Sequence, residues 1–478
     1  MKKIITLCAI LVAAAVLGAQ AAPGMYRIES VEYRIDGKTK EGPLSDRLEI
    51  KIGTEFQDLA SLEAYVADKR QVLSNERVLE STDLVYSLGE SSTGTIPVTL
   101  IVTAKDTWNI IALPYPKYTT NDGLLLSLRV RNYNFLGSME TLYADLDYRY
   151  DENGRSSFGL GLSFKLPFIL AGLDWSISTD HYFAYHLSGL VTYTDAELLR
   201  LYLHGNRRDW ILRLGQSFLW NEDGDDDEDK NMLVLRTEAG ISTEYSIANL
   251  GAMGTLVWVP DLEIAGEYRA NGDLISASRR GPAVTASYTL KAGRENWSGN
   301  LREGTVLSFV NSYSYSLYSL SWGATAVLQA RHYESWLNDH LGLNSRVTLY
   351  GNLLGISESI GSYIRGVPDA RVDGDYAVFA NLDLPIRLFD FKPSILIKKD
   401  WFDFEAHASP FVDAALVRAS PSDPFEPYLA GGLELFGFLK RARSIYARLS
   451  LGIDALGYLD TRSFSGNYEL FFGLGHDY

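Results

Sequence analysis

The chain has 478 residues, 46% of them hydrophobic and 12% aromatic, with a formal net charge of −16 at pH 7. Such a negative balance argues against nucleic acid as a partner, because phosphate-backbone binding rests on cationic groups. The length fits two or three ordinary soluble domains, or one small domain and one large barrel.

The first 21 residues read as a secretory signal peptide: Lys2 and Lys3, an apolar stretch from Ile4 to Leu17, and small residues around Ala19-Gln20-Ala21. The only cysteine, Cys8, lies near the start of that stretch, too early for a lipidated cysteine. The mature chain therefore has no disulfide or zinc-thiolate framework. No later stretch is a long uncharged apolar run of the kind a membrane helix needs, a test that transmembrane strands escape.

Residues 26–105 have mixed character. "IESVEYRIDG" alternates, with Val31, Tyr33 and Ile35 on one face. "GPLSDRLEIKIG" predicts a short helix with Pro43 near its start and Gly53 after its end. "DLASLEAYVADKRQVLSN" predicts a longer one, capped by Asp58, with Leu59, Leu62, Val66 and Leu73 in a stripe. Two strands follow, "RVLESTDLVYSLGE" and "TIPVTLIVTAKD". The order strand, helix, helix, strand, strand predicts one sheet with two helices on a face.

Residues 106–478 have a different texture. Period-two alternation repeats between Gly, Asn and Asp turns. In "GLLLSLRVRNY", Leu124, Leu126, Leu128 and Val130 oppose Ser127, Arg129 and Arg131; in "ETLYADLDYRY", Leu142, Ala144 and Leu146 oppose Asp145, Asp147 and Arg149. Charges repeated on one face need water or partners. A secreted sandwich and a membrane barrel both satisfy that rule. The closing strand, "NYELFFGLGHDY", favours the barrel, because Tyr468, Leu470, Phe472, Leu474, His476 and Tyr478 share one face to the last residue. The 29 tyrosines suit interfacial girdles, and in lipid such strands must close. The expected fold is mainly β: a small α+β domain, then an antiparallel transmembrane barrel of about sixteen strands at ~10 residues each plus turns.

With that architecture the mature chain resembles the BamA/TamA and two-partner-secretion superfamily, in which POTRA domains precede an outer-membrane barrel. Residues 26–105 match the POTRA order of elements, including "KIGTEF" between the helices. "RNYNFLGSMETLYADLDYR" is similar to the family's early hairpin, with Asn134 and Gly137 in its turn. "YIRGV" (Tyr363 to Val367) looks like the Val-Arg-Gly-aromatic signature, and "PFVDAALV" (Pro410 to Val417) like the Phe-x-Asp motif of a later strand. The resemblance implies a loop folded into the lumen, with Ile364, Arg365 and Gly366 at its tip and Arg365 bonded to Asp413 beside Phe411. A guanidinium can hold a carboxylate with two parallel hydrogen bonds. Val367 departs from the pattern, standing where the family has an aromatic. Read without the family, Arg365 is a solvated loop arginine and Asp413 an ordinary lumenal carboxylate.

The first barrel strand contains Pro114 and Pro116, and the last contains Gly473 and Gly475. Proline belongs on strand edges and glycine weakens strand packing, so the seam between these strands is expected to be the weakest join. The resemblance implies a lateral gate for substrate strands there; the alternative is that the prolines only end a strand at the rim. No catalytic group or cofactor site is expected. "GISESIG" carries Ser359 where a nucleophile elbow needs glycine, the histidines show no metal-ligand spacing, and the acidic run Asn221 to Asn231 lacks the EF-hand glycine. The resemblance implies an outer-membrane assembly or translocation factor, its N-terminal domain in the periplasm. Its partners would be outer-membrane lipid, unfolded client proteins (barrel proteins or a secreted partner), and periplasmic chaperones or accessory lipoproteins. The competing expectation is a passive channel or structural barrel with a docking domain.

Overall fold

The structure, a computed structural model, describes residues 25–475 apart from 77, 91–93, 108, 121–122, 152–153, 206–208, 222–232, 251–253, 270–281, 356–358, 398–402 and 441–445. The signal-peptide reading, nearly all of the acidic run, Ser357, His476 and Tyr478 thus lie outside the described residues. The chain divides into two compact units, Met1–Asp106 and Thr107–Tyr478.

In the first unit, β1 (Met25–Asp36), α1 (Glu41–Leu48), β2 (Glu55–Phe56), α2 (Leu59–Asn75), β3 (Leu79–Leu88) and β4 (Thr95–Asp106) follow one another. The sheet order is β2-β1-β4-β3, with β1 parallel to β4 and the other pairs antiparallel. A register shift between Ile28 and Ser30 changes the parity of β1, so Tyr26 and Ile28 share the inner face with Val31, Tyr33 and Ile35. Helix α1 is shorter than its sequence pattern predicts. It stops at Leu48 because Glu49 turns left-handed and its N–H returns to the Ser45 carbonyl. The α2 start is as predicted, with the Asp58 carboxylate accepting the Ser61 N–H at 2.7 Å. Leu62, Val66 and Leu73 are buried, as are Val98, Leu100 and Val102 of β4, whereas Leu59 stays exposed. Each such buried side chain contributes roughly 1.5–3 kcal/mol before chain entropy is subtracted.

The second unit is one closed antiparallel barrel. Its first strands are β5 (Ile110–Thr119), β6 (Gly123–Asn132), β7 (Leu142–Tyr150), β8 (Ser156–Leu170), β9 (Leu173–His186) and β10 (Val191–Leu203). Next come β11 (Asp209–Trp220), β12 (Leu233–Asn249), β13 (Thr255–Arg269), β14 (Ala283–Ser298), β15 (Leu301–Ser316) and β16 (Trp322–Trp336). The last are β17 (Leu341–Leu354), β18 (Tyr376–Asp383), β19 (Ile386–Phe391), β20 (Phe404–Arg418), β21 (Glu426–Leu439), β22 (Tyr446–Asp454) and β23 (Tyr468–Gly475). Strands β18 and β19 share the place between β17 and β20, and the break falls at Leu384-Pro385, since proline has no N–H for the ladder. The wall therefore has eighteen strands, not about sixteen. Tight turns such as those joining β8 to β9 and β14 to β15 consume few residues, which leaves chain for another hairpin.

Side-chain burial in the barrel is inside out. On β6, Leu126 and Leu128 are 45% and 47% exposed, while Ser127 and Arg131 between and beyond them are 6% and 8% exposed. Arg131 spans to β7 and holds Asp145 with two hydrogen bonds. Apolar side chains coat the outside and paired charges line the lumen, as in a transmembrane barrel. No described helix is long and apolar enough to cross a membrane. Two short helices were not anticipated by the alternating pattern: α3 (Ser394–Ile397), and α4 (Ala455–Thr461), which is capped by Asp454 through the Gly457 N–H.

Candidate functional site

Between β17 and β18 the chain does not make a tight turn. Residues 359–375 fold into the barrel and pack on its inner wall, where Ile360, Ile364, Val367 and Val372 form a buried cluster with Phe379, Ala415, Val417 and Ala430. The Tyr363 ring stacks on Phe379 at 5.1 Å. Val367 is fully buried in this cluster, so an aliphatic side chain fills the tip's packing site. Arg346 of β17 holds the loop from below: its Nε donates to Asn381 at 2.9 Å, and both side chains donate to the Tyr363 carbonyl.

Arg365 meets Asp413. Its Nε and Nη2 donate to the two carboxylate oxygens at 2.9 and 2.7 Å, and its own backbone N–H adds a third bond at 2.9 Å. The guanidinium lies 4.0 Å above the Phe411 ring centre. Asp413 is wholly buried, on the lumenal face with Phe411, whereas Val412 and Leu416 face outward. Two further carboxylates join it: Nη1 donates to Asp383 at 2.6 Å and lies 3.4 Å from Glu434, which also takes Arg448. Gly366 has φ +82° and donates its N–H to Glu469 of β23 at 2.8 Å. A Cβ there would lie 2.9 Å from the Ile453 nitrogen, and one at Gly452 would lie 2.6 Å from the Gly366 Cα. The loop backbone thus presses against the backbone of β22 where only glycine fits. Further along, Arg371 reaches Asn467 at 2.8 Å and Asp454 at 3.1 Å. The loop is tied to β17, β18, β20, β21, β22 and β23 together.

Asp383, Glu434, Glu469 and Arg371 were not singled out in the sequence. Each acid occupies the lumenal parity of an otherwise apolar strand segment ("ANLDLP", "GGLELFG", "NYELFF"), a signal that alternation could have supplied. A cavity of about 610 Å³ adjoins the lock, with Lys117, Arg302, Arg331, Arg346, Glu434 and Glu469 among the residues that line it.

At the closure, β23 and β5 pair at two positions among the described residues, Phe471 with Thr119 and Phe472 with Tyr118. The neighbouring joins, β5–β6 and β22–β23, run to ten and eight pairs. Pro114 and Pro116 lie in β5 opposite Leu128 and Leu126 of β6, below the two seam pairs. Gly473 lies beside the seam, where an added Cβ would come 3.2 Å from the Tyr115 hydroxyl, and Gly475 pairs with Tyr446. The Arg365 lock and the seam meet through β23, because Glu469 receives Gly366 two residues before Phe471. Elsewhere, Ser359 is engaged in donating to the Asp369 carbonyl. Cross-strand pairing also assembles His181, Asp195 and Glu197, a grouping with metal-ligand spacing that spacing along the chain does not reveal.

No family model matches the chain, and no curated protein does. Among solved structures it is similar to CdiB from Acinetobacter baumannii, at 13% identity and a TM-score of 0.52, covering 95% of this chain and 74% of that one. It is also similar to CdiB from Escherichia coli, at 8% identity and a TM-score of 0.42, covering 96% and 92%. BamA from Haemophilus ducreyi lacking POTRA domains 1–3 aligns at 12% identity with a TM-score of 0.36, covering 94% and 84%. At such identities the likeness is one of fold, carried by the first: a large antiparallel barrel preceded by a non-barrel domain.

Proposed function

We propose that the protein is a non-enzymatic outer-membrane transport barrel, closed at rest by the inward loop, with residues 26–105 serving as a periplasmic docking domain of the POTRA type. The observation that carries this reading is the Arg365 cluster, in which one guanidinium gathers Asp413, Asp383 and Glu434 from three strands. A plug held at this many points keeps cargo out until several bonds release together. The β1 edge beyond Arg27 and the outer edge of β3 carry no partner strand among the described residues. These are the edges "VEYRID" and "VLESTDLVYSL" could offer to an added strand. Planar-bilayer recording of the whole chain tests the plug. Wild type should conduct rarely, and R365A should open for long periods; equal conductance in both would refute the plug.

A second reading, favoured by the two pairs that the described residues form at the seam, is assembly or export of client polypeptides beside or through the barrel. Depleting the protein in its own cell and quantifying outer-membrane and secreted proteins separates the two. Loss of many barrels, or of one exported protein, supports client handling. An unchanged profile leaves the plugged channel.

A further inference from the structure

The outer wall of β9, β10 and β11 is apolar except at two adjacent levels, one holding His181 and Asp195, the other Thr179, Glu197 and Gln216. Outward parity is set by exposed Leu173, Phe183 and Tyr185 on β9, and by exposed Leu212, Leu214 and Phe218 on β11. His181 shares that parity on β9 and sits opposite Asp195 of β10, while Glu197 sits opposite Gln216 of β11. All three ionisable groups therefore point away from the lumen. Phe183 and Tyr193 lie to one side of them along the strands, and Ile177 and Leu199 to the other. On β11, Gln216 opposite Glu197 lies between Trp210 and Trp220 along the strand. The group is inside the apolar band, not at a watery rim.

Two carboxylates facing lipid are costly unless compensated. Among the described residues their cationic partner is His181 alone, 3.0 Å from Asp195 and 3.6 Å from Glu197. With both carboxylates ionised, a protonated imidazole cancels one of two negative charges; neutrality then needs either a proton on one carboxylate or a cation. Glu197 Oε2 is also fully buried and accepts no hydrogen bond. One ligand atom from each residue can be chosen so that all lie within 4.8 Å of one another. Tetrahedral ligands on zinc stand about 3.3 Å apart, given metal–ligand bonds of ~2.0–2.1 Å. A divalent ion on a neutral imidazole and two carboxylates makes the whole group neutral, which is the state an apolar surface favours.

We propose that His181, Asp195 and Glu197 bind a divalent transition metal, zinc by donor set and spacing, on the lipid-facing wall, where it ties β9 to β10. Zinc titrated calorimetrically into the metal-free full chain in detergent micelles should show one tight site. H181A and E197Q should each weaken it at least tenfold, with folding checked by heat-dependent gel mobility. H204A is the control: His204 also sits between two carboxylates, Asp174 and Asp209, but is well exposed. Binding lost in H204A and kept in H181A overturns the proposal, as does a wild type with no site. Cobalt in the wild-type chain gives a readout that needs no variant. It should broaden the resonances of detergent tails, and no broadening would place the ion in water and refute the lipid-facing site.

Discussion

At the residue scale, Arg365 acts as a fork and not merely as a charge. Two oxygens of Asp413 and one of Asp383 are met by three different guanidinium nitrogens, which a lysine ammonium cannot reproduce in that geometry. R365K should therefore behave like R365A, opening the pore and exposing residues 359–375 to protease; behaviour like wild type would mean that charge alone suffices. Removing the acid is the sterner change. D413A leaves the guanidinium buried with a weaker set of partners and should lower barrel stability by about 3–5 kcal/mol, measured by urea unfolding in vesicles. The Arg365–Asp413 contact was legible because two short motifs resemble a known pattern. Asp383 was overlooked although it stands in the strand that follows the loop, because its role depends on the pairing of β18 with β20, which sets Asp383 opposite Phe411.

At the element scale, alternation revealed the strands but not their number or their breaks. Strand parity is written locally, whereas strand count depends on how few residues the turns consume. The split at Pro385, the helix α4 after Asp454 and the parity change in β1 all follow from local backbone events that a period-two reading passes over. The His181 group was invisible for a related reason: its members are brought together by register, not by spacing. Pro114, Pro116, Gly473 and Gly475 led to the expectation of a weak seam between β5 and β23, where the described residues form two pairs. Because the only cysteine is Cys8, a disulfide engineered across Thr119 and Phe471 would meet no competing thiol in a processed chain. Paired antiparallel Cα atoms stand about 4.5–5.5 Å apart, within disulfide range. If clients pass the seam, T119C/F471C should block their export when oxidised and restore it when reduced. If the protein is a plugged channel, the oxidised form should export normally and R365A should still conduct through it.

At the scale of the whole molecule, the alternation that left sandwich and barrel both open takes one meaning once the sheet closes. A closed sheet has one inside, and here, the His181 group apart, the inside holds ion pairs while the outside holds leucines. Adjacent residues on β16 test this directly. Leu328 is exposed on the outer face, and Gln329 turns inward, where it donates to Thr348 and borders the lumenal cavity. L328R places a guanidinium against hydrocarbon and should cost about 2–4 kcal/mol near the midplane. Q329R places the same group in a polar cavity, where nearby Arg331 and Arg346 repel it through screening water, and should cost less than L328R, about 1 kcal/mol. Denaturant midpoints of the two variants folded into vesicles measure the difference. A barrel that tolerates both equally would not have its outer face in lipid, and the transport reading would lose its membrane.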